Sequence, residues 1–300
     1  MRRPRGTLTA AAVSLLLLAG CAGTAGADGT PVAADPSGSA PATADGALAL
    51  QVRSTGGFVT PSTYVTRLPL VSVYDDGRVI TEGPQIAIYP GPALPAVQVQ
   101  AIPPAYVKTI VDKAVAAGVR SGADLGRPPI ADATSTRFTL RTADGGEQTL
   151  EVYALTEYTP GQPGVTAAQQ AARDRLKTLL DQVTDVQTLV AAAELAKPQP
   201  YVPTALAAVV RPYVVQPDPA TSAQPAVAWP GPALPGTSVG AATGISCVTV
   251  TGDAVATVLG AAKNANAMTP WTAQGKQWSI ELRPLLPEEA DCAALTRAAS

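Results

Sequence analysis

The chain of 300 residues contains no histidine. That absence removes a Ser-His-Asp triad, a Cys-His dyad and histidine-ligated zinc or haem from the chemistry open to it. Cysteine is nearly as scarce: there are three, none in the close spacing of a metal or redox motif. No Gly-rich loop precedes a helical pattern in the arrangement that cradles phosphate. No metal and no cofactor is therefore expected. Positive charge is not in excess either, with 21 Lys and Arg against 23 Asp and Glu, so no basic surface for nucleic acid is indicated. An enzyme would have to use paired carboxylates or a Ser and Lys pair. Asp75, Asp76, Asp124, Asp132, Glu151 and Glu157 are available, but they stand where turns and solvated faces usually place acids, and nothing in the sequence pairs them.

What is present begins with an address. Arg2, Arg3 and Arg5 form a basic start, and Leu8 to Leu18 form an apolar stretch too short to span a bilayer. The stretch ends in Leu18, Ala19, Gly20 and Cys21, the pattern of a lipobox, so residues 1–20 read as a lipoprotein signal peptide and Cys21 as the lipidated residue. The expected location is the outer face of the cell membrane, reached by export and held by the lipid. Each buried methylene contributes about 0.8 kcal/mol, so two or three acyl chains anchor stably. Removing Arg2, Arg3 and Arg5 leaves 18 basic against 23 acidic side chains, a formal −5.

Residues 21–46 are almost entirely small or polar and lack the apolar side chains needed to fold. They read as a flexible tether with an r.m.s. reach of about 28 Å. Beyond the tether, 46% hydrophobic residues supply a core, and the remaining length suits two domains. With Cys21 lipidated, Cys247 and Cys292 are an even pair in an oxidising compartment and are expected to form a disulfide.

Strand patterns open the folded part at Ala47 to Arg53, followed by a hairpin of Leu70 to Tyr74 and Arg78 to Thr81 that turns at Asp75, Asp76 and Gly77. A second hairpin pairs Thr136 to Thr142 with Gln148 to Ala154. Between them Pro104 starts a helix, Gly118 closes it, and Val107, Ile110, Val111, Ala114 and Val115 share a face. A long helix starts at Thr166, whose spacing to Gln169 matches a capping box, with Ala172, Leu176, Leu179, Leu180 and Val183 inward. Pro198, Pro200 and Pro203 then break the pattern. The reading is α+β: two antiparallel-sheet domains, 47–197 and a smaller 198–300 carrying the disulfide, each covered by helices.

A repeat runs through both. Tyr89 to Pro95 reads Tyr-Pro-Gly-Pro-Ala-Leu-Pro, and Trp229 to Pro235 differs only in its aromatic. Val107, Ile110, Val111 and Ala114 align with Val255, Val258, Leu259 and Ala262, Gly118 with Asn266, and Phe138, Leu140 and Arg141 with Ile280, Leu282 and Arg283. The pattern suggests a diverged duplication in which the two segments superpose. Tyr89 and Trp229 either plug the core at strand ends or offer rigid contact faces for a binding partner. Together with the lipobox, Tyr74 to Ile80, Ile88 to Pro95 and Arg283 to Glu289 give the chain a resemblance to a family of lipoproteins of high-GC Gram-positive bacteria. The resemblance implies an envelope location and carries over no catalytic residue. The function expected is a non-catalytic binding or interaction module with an envelope protein, glycan or lipid partner; the alternative is a carboxylate-dependent hydrolase of an envelope component.

Overall fold

A computed structural model describes residues 46–142, 144–215, 224–239 and 243–299. The residues read from the sequence as signal peptide, Cys21 and tether, as far as residue 45, lie outside the described residues. No helix among the described residues is long and apolar enough to cross a membrane.

The protein is mixed α+β, built on two antiparallel-rich sheets with few helices. Strands β1 (Leu48–Gly56), β2 (Val71–Tyr74), β3 (Arg78–Glu82), β4 (Val97–Ala101), β5 (Thr134–Arg141), β6 (Glu147–Tyr153) and β7 (Gln199–Pro200) form the first, in the order β6-β5-β1-β2-β3-β4-β7, every pairing antiparallel. Strands β8 (Ala205–Pro212), β9 (Val227–Ala228), β10 (Thr237–Ser238), β11 (Ser246–Thr251), β12 (Trp271–Ala273) and β13 (Lys276–Pro284) form the second, in the order β10-β11-β8-β13-β12-β9, where only β9 and β12 run parallel. The tight β2–β3 turn depends on Gly77 at φ 91°. A Cβ there would lie 2.2 Å from the Ile102 carbonyl oxygen, which also makes this turn a seat for the chain entering the next helix.

Helices α1 (Pro61–Thr66), α2 (Pro104–Ala117), α3 (Ala167–Thr184), α4 (Asp253–Ala262) and α5 (Cys292–Ala299) complete the regular structure. α2 ends on Gly118 in the left-handed conformation, and α3 starts on a complete Thr166–Gln169 capping box. Val107, Ile110 and Ala114 of α2 and Leu176, Leu179 and Val183 of α3 pack with Leu50, Val52, Val73, Phe138 and Leu140 in one apolar cluster. Val115, assigned to the buried face from the sequence, is exposed; Ala117 takes the inward position. In a second cluster Val255 and Val258 of α4 meet Leu206, Ala208, Val210, Val248, Val250, Ile280 and Leu282.

The opposite faces are joined by pieces that cross between the sheets. Val65 of α1 packs with Ala207, Val209, Cys247, Leu285 and Leu295. Leu286, just beyond β13, packs with Leu68, Tyr74, Ile80 and Val97 of the first sheet. Cys247 and Cys292 form the disulfide, with Cα atoms 6.0 Å apart, and so fasten α5 to β11.

The expected superposition of Tyr89 to Arg141 on Trp229 to Arg283 is corrected by the topology. Strands β4 and β5, which flank α2, have β1, β2 and β3 between them, whereas β11, before α4, and β13, which follows α4 after β12, have only β8 between them. The β2–β3–β4 meander accounts for the difference, because it moves the strand before the helix outward by two places.

Candidate functional site

The two aromatic-Pro-Gly-Pro loops both run through bends, yet they present their rings differently. Trp229 is buried, 9% exposed, edge-on to Trp271 at 5.6 Å between ring centroids, and its indole N–H donates to the Pro232 carbonyl. Gly231 is required there, since a Cβ would sit 2.4 Å from the Trp229 ring. Tyr89 is 79% exposed. The parts the loops have in common point inward: Ala93 and Leu94 from the first and Leu234 from the second join the same apolar cluster beside α4. The Ala267 N–H donates to the Gly91 carbonyl, and Pro92 bridges to Asn266. The structure therefore brings the Ala-Leu segments of the loops together without placing the two rings on one exposed face.

Tyr89 has other company. The cross-strand register runs Phe138–Val52–Val71–Thr81–Gln98–Pro200 through the first sheet. The chain that enters or leaves the sheet past this row, where β1 and β3 finish and β4 begins, carries Phe58, Leu70, Ile86, Ile88, Tyr89 and Val202, all exposed, Phe58 by 90%. The chain enters at Gly46 and Ala47 from the opposite end, beside the Asp75–Gly77 turn, where the Asp75 N–H donates to the Ala47 carbonyl. Six exposed apolar side chains on the connections at one end of one sheet, an apolar rim, exceed the single exposed hydrophobes that are ordinary. Sequence reasoning found Tyr89 and missed the rest, because Phe58, Ile86, Ile88 and Val202 follow no strand or helix period.

At the entry end lies a polar site. A cavity of about 620 Å³ is lined by Gly46, Gln51, Thr139, Arg141, Glu147 and Glu288 among others. Glu288 is exposed as a residue, and its carboxylate accepts from Gln51 Nε2 and Tyr74 Oη, each at 2.5 Å. Burial pushes the Glu288 carboxyl above its ordinary value despite these donors, and burial beside Glu288 likewise raises the Tyr74 hydroxyl. Tyr201, whose hydroxyl donates to the Leu285 carbonyl, is pushed up to about 12 by burial. Next to it Glu289 is locked: Arg283 donates to both its oxygens at 2.5 and 2.8 Å, the Leu286 N–H adds a third bond, and Arg53 lies 3.5 Å away. The arrangement braces the chain after β13 against β1 and β2.

The acids noted from the sequence are dispersed. Asp76 pairs with Arg78, Glu151 with Arg137, and Asp124 accepts from the Gly126 N–H. Glu157 accepts from the amide and hydroxyl of Thr134, which outweighs its burial and holds its carboxyl below the ordinary value. No group of three metal-ligating side chains occurs among the described residues. Comparison with family models, with curated proteins and with solved structures yields no match.

Proposed function

We propose that the protein is a lipid-anchored cell-envelope lipoprotein whose folded part is a non-catalytic interaction module, and that the apolar rim at the end of the first sheet is its contact surface. The observation that carries this reading is that Phe58, Leu70, Ile86, Ile88, Tyr89 and Val202 are all exposed on chain that enters or leaves the same end of the first sheet. Leaving so many apolar side chains in water forgoes about 1.5–3 kcal/mol for each that a partner would bury. Pro84 and Pro90 bracket the Ile86–Tyr89 segment and reduce the entropy it loses on docking. The lipid on Cys21 confines the module to the membrane surface, where its partner is to be sought.

The test uses the full chain in membranes, with a photo-reactive side chain at Ile88 and, as control, at Val115, which is exposed on α2. Protein adducts at Ile88 and none at Val115 are the expected outcome. Cys21→Ser should release the chain from the membrane and abolish lipid attachment by mass spectrometry. A Cys21→Ser chain that stays in the membrane fraction would remove the anchor from the reading.

We infer further that helices cover one face of each sheet and that the two halves descend from a common β-β-α-β unit. In support, the order β2-β1-β5 around α2 matches β11-β8-β13 around α4, with the middle strand antiparallel to both neighbours each time. Across those strands Val73, Leu50 and Leu140 correspond to Val248, Ala208 and Leu282, all packed with their helix. The β3–β4 hairpin is then an insertion in the first copy, and β9, β10 and β12 are additions in the second.

A further inference from the structure

We propose that the apolar rim is a two-fold contact with a second copy of this chain. The inference rests on the reading of the rim as a contact surface and adds the identity of the occupant. Its first support is area. Two exposed aromatic rings and four aliphatic side chains offer roughly 800 Å², about what each partner of a standard protein interface buries.

The second support is charge. A two-fold contact sets a patch against its own reversed copy, so a patch of one sign would repel itself. Here the flanks differ in sign. Arg67 lies on the β1 side, donating to the Gly56 carbonyl, and Glu82 closes β3, with β2 between them. An axis passing near Leu70, at the start of β2, carries Arg67 of each copy towards Glu82 of the other. Among the described residues the charges placed at this end by a contact or a strand terminus include Arg67, Glu82, Glu157 and Asp132, one basic against three acidic, which does not suit an anionic bilayer. Anchoring supplies the last element, because chains held on one membrane meet at a raised effective concentration and a weak contact suffices.

The experiment co-expresses two differently tagged full-length chains, each with a photo-reactive side chain at Ile88, and asks whether adducts carry both tags. Dual-tagged adducts are expected at Ile88 and not at Val115. Arg67→Glu should abolish them, and the paired exchange Arg67→Glu with Glu82→Arg should restore them. That restoration separates a broken contact from a broken fold. Adducts at Ile88 containing only other proteins would overturn the second copy while leaving the interaction module standing. Absence of any adduct at Ile88 would overturn both, and dual-tagged adducts indifferent to Arg67→Glu would overturn the axis near Leu70.

Discussion

Glu288 and Glu289 are adjacent in the chain and differ in what surrounds them. Glu289 has a guanidinium on both oxygens, whereas Glu288 is desolvated with only neutral donors, Tyr74 and Gln51, on its carboxylate. Burial comes first among the causes of the raised Glu288 carboxyl, and the neighbouring Glu289 charge adds to it. Arg283 and Arg53 spend their charge on Glu289, so they do not cancel the cost. In the unfolded chain Glu288 loses its proton near pH 4.3; in the folded chain it does so higher. Between those two values the unfolded state binds fewer protons, and stability falls as pH rises. Glu288→Gln keeps an acceptor for Tyr74 and removes the charge. Thermal unfolding at mildly acid and at neutral pH should show the variant gaining on wild type as pH rises; a difference constant with pH would mean that the carboxylate is solvated.

At the scale of elements, the disulfide is the joint to test. It closes a separation of 45 residues, for which chain-entropy reasoning gives about 4 kcal/mol. It ties α5 to β11, and Leu295 of α5 shares a cluster with Val65 of α1. Reducing it should lower the urea midpoint and raise hydrogen exchange first in α5 and β11; unchanged exchange there would mean that packing alone holds α5. The elements legible in the sequence were those with a local cause. Pro104 and Gly118 bound α2, Thr166 and Gln169 start α3, and glycines turn both hairpins. The disulfide followed from counting cysteines. Elements whose cause is distant were not legible. The six-residue α1 is held by Val65 against the second sheet, and β7, β9 and β12 are too short to show a period. Arg173 sits among the apolar residues of α3, fully buried, because it donates to the carbonyls of Leu125, Tyr153 and Ala154, loops that no pattern along α3 reveals. The candidate site was legible only at Tyr89, for the same reason: the rim is assembled from the ends of several strands.

At the scale of the whole molecule, each sheet draws its strands from one side of residue 205 or so, yet residues 43–300 form one compact unit. The cause lies in three exchanges across that division. Val65 of α1 packs against β8 and β11; Ala93 and Leu94 complete the cluster beside α4; and Leu286, Glu288 and Glu289 complete the back of β1 and β2. Each adds apolar or charged groups to the receiving sheet and so couples the two halves, although the cluster beneath α2 and α3 draws all its residues from before residue 198. Unfolding of the full chain should therefore follow a single transition by tryptophan fluorescence, which reports the second sheet through Trp229, Trp271 and Trp278, and by exchange of the β1 and β5 amides, which reports the first. A fragment beginning at residue 198, which keeps the disulfide and all three tryptophans, loses Val65 from the cluster of Ala207 and Val209 and loses Ala93 and Leu94 from the cluster beside α4. It should expose apolar surface to a hydrophobic dye and lose its sharp transition. A fragment that melts as sharply as the full chain would show the exchanges to be ornamental and the two sheets to be independent domains.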